Sequence, residues 1–154
     1  MLRKRRAPAH PSVVHRWDRS TIIFVTICTK ERKPILANNI AMDLLVEKWR
    51  RADGWLVGRF VIMPDHVHLF CAPARLDSCK LRDWVTFWKT IVSKSWPQRD
   101  QLPLWQQNFW DRQLRREEGY AEKWEYVQQN PVRHGLVTCP EDWQFQGELN
   151  QLRW

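Results

Sequence analysis

The pattern of apolar and polar positions predicts three strands and two helices in the first two thirds of the chain. β-branched and apolar residues dominate 21–29, 55–63 and 66–72, which is typical of strands buried on at least one face. The link Pro64-Asp65 is so short that the second and third strands are predicted to form a hairpin. Apolar residues at helical spacing predict helices over 40–51 and 81–96.

The last third of the chain has a weaker pattern. It predicts a fourth strand over 105–115, a helix over 117–129 that Pro131 stops, and a mostly irregular segment after 140. The order β-α-β-β-α-β-α predicts an α+β protein with a ferredoxin-like split β-α-β fold: an antiparallel sheet with helices on one face, plus a C-terminal helix. We divide the chain into an arm at 1–20, one domain at 21–140 and a tail at 141–154.

Positive charge is concentrated near the N-terminus. The chain has 154 residues, enough for one sizeable core, and a formal net charge of +8. Residues 1–35 hold nine Lys or Arg against two Asp or Glu. Such a cluster is either a solvated tail or an arm that binds the phosphates of a nucleic acid, and the charge favours the second. The candidate phosphate-binding residues are Arg3, Lys4, Arg5, Arg6 and Arg16.

Other features exclude several classes of protein. No apolar run reaches the ~18 residues that span a bilayer, and no apolar stretch follows the basic start as in a secretory signal. The four cysteines lack Cys-x-x-Cys spacing, which disfavours a zinc cluster or a disulfide framework. We therefore expect a cytoplasmic protein with free thiols and no membrane partner.

The chain is rich in tryptophan, with eleven in all. Such rings are usually packed in a core, but a minority could stack on unpaired bases. The sequence does not indicate which rings would do so. Several stand beside charged or amide residues, namely Trp17, Trp88, Trp96, Trp105, Trp110 and Trp124.

A pair of histidines is the first candidate for chemistry. His66 and His68 are two residues apart in a predicted strand, so they share one face while Val67 lies on the other. Two imidazoles can grip one divalent ion, although surface or hydrogen-bonded histidines have the same spacing. A metal site would need a third ligand from elsewhere. Because no Cys or further His stands at a zinc-like spacing, the pattern favours a weakly held Mg²⁺ or Mn²⁺.

The last predicted helix carries the second candidate. Tyr120, Trp124 and Val127 share one face, whereas Tyr126 is rotated from them by roughly 100°. Asn130 lies one turn after Tyr126, at the helix end that Pro131 imposes. A phenol and an amide oxygen are thus placed together as a nucleophile and a metal ligand, or simply as a packing residue and a helix cap.

Two segments resemble the signatures of one protein family. Residues 61–69 (VIMPDHVHL) resemble the motif of the single-tyrosine HUH transposases, which is named for two histidines around a hydrophobic residue. Residues 126–137 (YVQQNPVRHGLV) resemble the second signature of the REP-associated tyrosine transposases. Weaker matches at 24–26 and 109–115 extend the resemblance over about residues 20 to 140. One departure is His134, where the family usually has a small residue.

The resemblance implies a DNA transposase that cleaves and rejoins single-stranded DNA at hairpin or palindromic repeats. Tyr126 would be the nucleophile that forms a 5′-phosphotyrosine, and His66, His68 and Asn130 would bind Mg²⁺ or Mn²⁺. Both homodimers and monomers occur in the family, so either state is expected. Two alternatives remain: a domesticated repeat-DNA-binding protein without activity, and a metal nuclease that uses water.

Overall fold

An antiparallel sheet forms the centre of the protein. The computed structural model describes residues 21–115 and 119–153, and its five strands follow the order β4-β1-β3-β2-β5. Strands β2 and β3 form the predicted hairpin, and β1 and β4 complete one edge. The strands are β1 Ile23–Cys28, β2 Trp55–Ile62, β3 His66–Pro73, β4 Trp110–Gln113 and β5 Gln146–Glu148.

Two long helices cover one face of the sheet. Helix α1 spans Asn39–Arg51 and begins where the Asn38 side chain accepts a hydrogen bond from the backbone N–H of Ala41. Helix α2 spans Leu81–Ser95. Their apolar stripes pack on alternate residues of the strands, and edge-to-face tryptophans lie between the helices and the sheet.

A shorter helix lies on the opposite face. Helix α3 spans Tyr120–Gln128, and the four-residue helix α4, Asn130–Arg133, follows it directly. The face formed by Tyr120, Trp124 and Val127 packs on the sheet as predicted. It joins a second apolar cluster with Phe70, Val61, Met63 and Leu152.

A β-bulge in β2 is matched to α3. The register of β2 against β3 shifts between Val57 and Phe60, which frees the backbone N–H of Arg59 from the ladder. The hydroxyl of Tyr120 accepts that N–H at 3.0 Å. No side chain fits at Gly58, because an added Cβ would lie 2.7 Å from the same hydroxyl and 2.6 Å from Leu152.

The predicted α+β class, antiparallel sheet and element order are confirmed. Two elements differ from the expectation. The segment after 140 adds the edge strand β5, whose three residues are too few and too polar to show a strand pattern. The chain is also helical again from Asn130. Pro131 lies in the first turn of α4, where a backbone N–H has no partner within the helix, so proline is tolerated there.

The described ranges hold no helix with the length and apolar character needed to cross a bilayer.

Candidate active site

Strand β3 brings the two histidines together on the face that α3 covers. The Nε2 atoms of His66 and His68 are 3.1 Å apart, and the rings meet edge to face. Val67 between them is fully buried in the opposite core, as the alternation predicts. When two nitrogen atoms occupy adjacent positions on one metal ion, each about 2.1 Å from it, the two nitrogens are roughly 3 Å apart. The pair therefore presents two donors at a separation that one ion can bridge.

The other nitrogen of each ring is held by a neighbour. His66 Nδ1 donates to Asp65 Oδ1 at 2.7 Å, which leaves its Nε2 as an acceptor. His68 Nδ1 lies 2.8 Å from Thr26 Oγ1, directly across the β1–β3 pair. A hydroxyl can donate or accept, so Thr26 can accept a hydrogen bond from His68 Nδ1–H when His68 Nε2 binds a metal. Such outer partners fix the orientation of metal-binding imidazoles.

Asp65 is itself anchored by Arg32. The guanidinium Nε donates to Asp65 Oδ2 at 2.8 Å. Glu31 and Arg32 adopt left-handed backbone conformations, with φ of 58° and 55°, in the turn after β1. Burial alone would raise the pKa of Asp65, but the hydrogen bonds from Arg32 and His66 bring it below its ordinary value. Asp65 is therefore a carboxylate at neutral pH.

Both imidazoles are neutral at neutral pH. Burial lowers the pKa of His68 to about 3, with smaller contributions from His66 and from cations that include Lys123 and Arg133. Burial also lowers the pKa of His66, although the hydrogen bond to Asp65 opposes it. A neutral imidazole keeps the lone pair that a metal requires.

Tyr126 is exposed near the end of α3. Its side chain is 62% exposed, and two cations lie against its ring: Arg133 Cζ at 4.2 Å and Lys123 Nζ at 5.3 Å from the centroid. The same Lys123 Nζ is 5.0 Å from the centroid of Phe24, which stacks on His68. The tyrosine and the histidines are thus connected through Lys123 and Phe24.

Arg133 links Tyr126 to Asn130. One guanidinium nitrogen donates to the Asn130 amide oxygen at 2.6 Å and to the backbone carbonyl of Tyr126 at 2.9 Å. Arg133 thus connects the helix end to the backbone of Tyr126, and the amide oxygen of Asn130 already accepts one strong hydrogen bond. Arg133 could not be identified from the sequence, because its contacts depend on the turn between α3 and α4.

His134 comes close to the histidine pair. Its ring centroid is 6.5 Å from that of His66, and its Nδ1 donates to the backbone carbonyl of Asn130 at 2.9 Å. Within residues 21–115 and 119–153, no group of three or more His, Cys, Asp or Glu side chains is arranged to hold a metal ion.

The predicted phosphate-binding arm lies outside the described residues. This applies to Arg3, Lys4, Arg5, Arg6 and Arg16. The described cations at the site are instead Arg32, Lys123 and Arg133.

A protein-family model matches the larger part of the chain. The model of the family described as "Transposase IS200 like" matches residues 19–120. The matched range contains His66 and His68 and ends before Tyr126.

Two curated bacterial proteins are similar to part of the chain. An Escherichia coli K12 REP-associated tyrosine transposase is 26% identical over 98 residues, which cover 64% of this chain and 57% of that protein. A Haemophilus influenzae protein, provisionally described in the same way, is 28% identical over 96 residues, covering 54% of this chain and 53% of the other. The chain thus spans little more than half the length of these relatives.

Two solved structures share the fold. A REP-associated tyrosine transposase bound to a REP hairpin aligns with a TM-score of 0.68 and 20% identity, covering 89% of this chain and 82% of that one. A Deinococcus radiodurans protein, provisionally described as a transposase, aligns with a TM-score of 0.53 and 18% identity, covering 78% of this chain and 95% of that one.

Proposed function

The chain belongs to the family of IS200-like transposases, and from that premise we propose that it cleaves and rejoins single-stranded DNA through a covalent bond to Tyr126. The proposed substrate is hairpin or palindromic-repeat DNA. This choice is supported by the REP-associated relatives and by the hairpin bound to the structural neighbour.

The exposure of Tyr126 is the observation that carries the proposal. The chain has only two tyrosines. Burial raises the pKa of Tyr120 to about 12, and its hydroxyl is occupied by the backbone N–H of Arg59. Tyr126 is 62% exposed and faces solvent beside two cations. If this protein forms a phosphotyrosine, Tyr126 is the residue that can reach a strand of DNA.

The neighbouring cations suit a phosphodiester. Lys123 and Arg133 flank the phenol, and Arg32 lies at the histidine pair. They would attract the DNA backbone and orient one phosphate.

His66, His68 and Asn130 are the residues we propose for holding Mg²⁺ or Mn²⁺. The facing Nε2 atoms fit one ion, and a carbonyl oxygen that accepts one hydrogen bond, as Asn130 does, keeps a second lone pair. The bound ion would act as a Lewis acid on a non-bridging phosphate oxygen.

The proposed chemistry conserves the energy of the phosphodiester. The Tyr126 oxygen loses its proton and bonds to phosphorus, while the bond from phosphorus to the 3′ oxygen breaks and that oxygen takes up a proton. The products are a 5′-phosphotyrosine and a free 3′-hydroxyl. Because no water is consumed, a second 3′-hydroxyl can reverse the step and join strands without ATP.

The test is formation of a covalent adduct. Wild-type protein is incubated with single-stranded hairpins whose unpaired flanks are randomised, with Mn²⁺ or Mg²⁺, and is then run on a denaturing gel. We expect a protein–DNA adduct for wild type and none for Tyr126→Phe. Tyr120→Phe is the matched control, since it removes the only other phenol and should retain the adduct.

Each alternative function gives a different result. Strand cleavage that persists in Tyr126→Phe without any adduct would indicate a water-using nuclease. Tight hairpin binding with no cleavage by wild type, in either metal, would indicate a binding protein without activity.

A further inference from the structure

Trp110 differs from the other tryptophans in its exposure. Of those in residues 21–115 and 119–153, it alone is exposed, with 57% of its surface accessible. Trp88, Trp96 and Trp105, which stand in similar sequence contexts, are buried in the core between helices and sheet. A single exposed apolar ring is ordinary on a protein surface, so a role for Trp110 depends on where the ring lies.

The position of Trp110 places it next to the histidine pair. Trp110 on β4 pairs with Thr26 on β1, and Thr26 pairs with His68 on β3. Directly opposed residues of antiparallel strands share a face, so all three side chains lie on the same side of the sheet. Two strand spacings separate Trp110 from His68, which is about 10 Å between Cα atoms.

The surroundings of this row carry positive charge. Arg112, two residues along β4, lies on the same face opposite Phe24. Phe24 in turn contacts Lys123, the cation shared with Tyr126. Asp111 pairs with Val25 and lies on the other face. A flat ring beside cations suits a strand of unpaired nucleic acid, which offers stacking bases and phosphates together.

We propose that Trp110 is a stacking platform for an unpaired base adjacent to the phosphate that Tyr126 attacks. The proposal rests on the proposed function and adds to it a base-binding subsite. An indole can stack on any base, because every base has a flat aromatic face. Trp110 would therefore hold the strand without selecting its sequence. Thr26 and Phe24 form the floor between this subsite and the histidines.

The experiment uses the hairpin that yields the Tyr126 adduct, with a fluorescent adenine analogue placed at one unpaired position at a time. Binding is measured in the Tyr126→Phe background, so that the strand stays intact. We expect strong quenching at one position next to the cleaved bond, lost in Trp110→Leu and retained in Trp110→Phe. Affinity should fall roughly fivefold to a hundredfold in Trp110→Leu.

Phe87→Leu is the matched control, because Phe87 is an exposed aromatic on α2, over the other face of the sheet. If Trp110→Leu binds as tightly as this control and keeps the quenching at every position, the stacking proposal is wrong while the proposed function stands. If wild type forms no adduct with any hairpin, the proposed function and this proposal fail together.

Discussion

The residues behind the two histidines determine how their Nε2 atoms are presented. Asp65 holds His66 through Nδ1, and Thr26 holds His68 in the same way. Neither outer residue would bind a metal itself. Each fixes the ring orientation by accepting a hydrogen bond from Nδ1–H. The ring proton then stays on Nδ1, and the lone pair of Nε2 is free for a metal.

Replacement of Thr26 tests this arrangement. Thr26→Val keeps the shape of the side chain but removes the acceptor for His68 Nδ1, so we expect Mn²⁺ affinity to fall roughly tenfold to a hundredfold. The measurement is calorimetric titration of the DNA-free protein with Mn²⁺. Thr26→Ser retains the hydroxyl and should bind as wild type does. Equal affinity in all three proteins would show that His68 needs no partner at Nδ1.

The sequence predicts some of these residues and not others. The His66-Val67-His68 pattern fixes which side chains share a face, because alternation along a strand is a property of the backbone. Thr26 becomes relevant only through the β1–β3 register, and Arg133 only through the turn after α3. Neither relation leaves a pattern in the local sequence, so the roles of Thr26 and Arg133 cannot be predicted from sequence alone.

Among the elements, α3 is the one that carries Tyr126, the proposed nucleophile. It has few buried residues of its own, and its position depends on Tyr120, Trp124 and Val127. Tyr120 hydrogen-bonds to the bulge in β2, and the guanidinium of Arg59 lies over the rings of Tyr120 and Trp124. The bulge therefore acts as the docking point for the helix that carries Tyr126.

Tyr120→Phe tests the contact between α3 and the bulge. Loss of the hydroxyl leaves the Arg59 N–H without its partner, so we expect the variant to be less stable by about 1 kcal/mol at pH 8. Wild-type stability from this group is complete below pH 10 and is lost as pH rises toward 12, since burial raises the Tyr120 pKa to about 12 from 10. The difference between the two proteins should therefore shrink above pH 10.

Urea unfolding of both proteins across this pH range measures that difference. Other groups that titrate at high pH affect both proteins alike and cancel. A difference in stability that stays constant from pH 8 upward would mean that the Tyr120 phenol has the same pKa in the folded and unfolded states.

Most elements were predictable because their apolar periodicity is strong, as in 81–96, where Trp84, Val85 and Trp88 are buried. Strand β5 was not, since Gln146-Gly147-Glu148 has no apolar alternation. It forms because β2 would otherwise expose an unpaired edge, and Arg59 adds an ion pair to Glu148 at 3.0 Å.

In the whole molecule, the two faces of the sheet have different roles. Helices α1 and α2 cover one face and supply the main core. The other face is covered by α3 only in part. It carries the histidine pair on β3 and Trp110 on β4, and the cations near Tyr126 come from α3 and α4. A strand of DNA bound on this face would contact these cations and Tyr126, the proposed nucleophile, together.

The basic arm should add to that attraction without taking part in the chemistry. We consider a variant of the full chain in which Arg3, Lys4, Arg5 and Arg6 are all changed to Gln. Its binding constant for a single-stranded hairpin should fall less steeply with salt, in a plot of log K against log salt concentration. The decrease in slope should be about 0.7 for each phosphate that the arm no longer neutralises. Adduct formation at low salt should persist, because Tyr126 and its neighbours are untouched. Fluorescence titrations at several salt concentrations give the slope.

A second quadruple variant separates the position of the charges from their number. Arg50, Arg51, Lys80 and Arg82 are exposed on or beside α1 and α2, over the face that we do not expect DNA to reach. Changing these four to Gln alters the net charge by the same amount. If net charge alone attracted DNA, both variants would lower the slope equally. A smaller effect in the second variant is expected, because a counterion is released only where a cation replaces it on a phosphate.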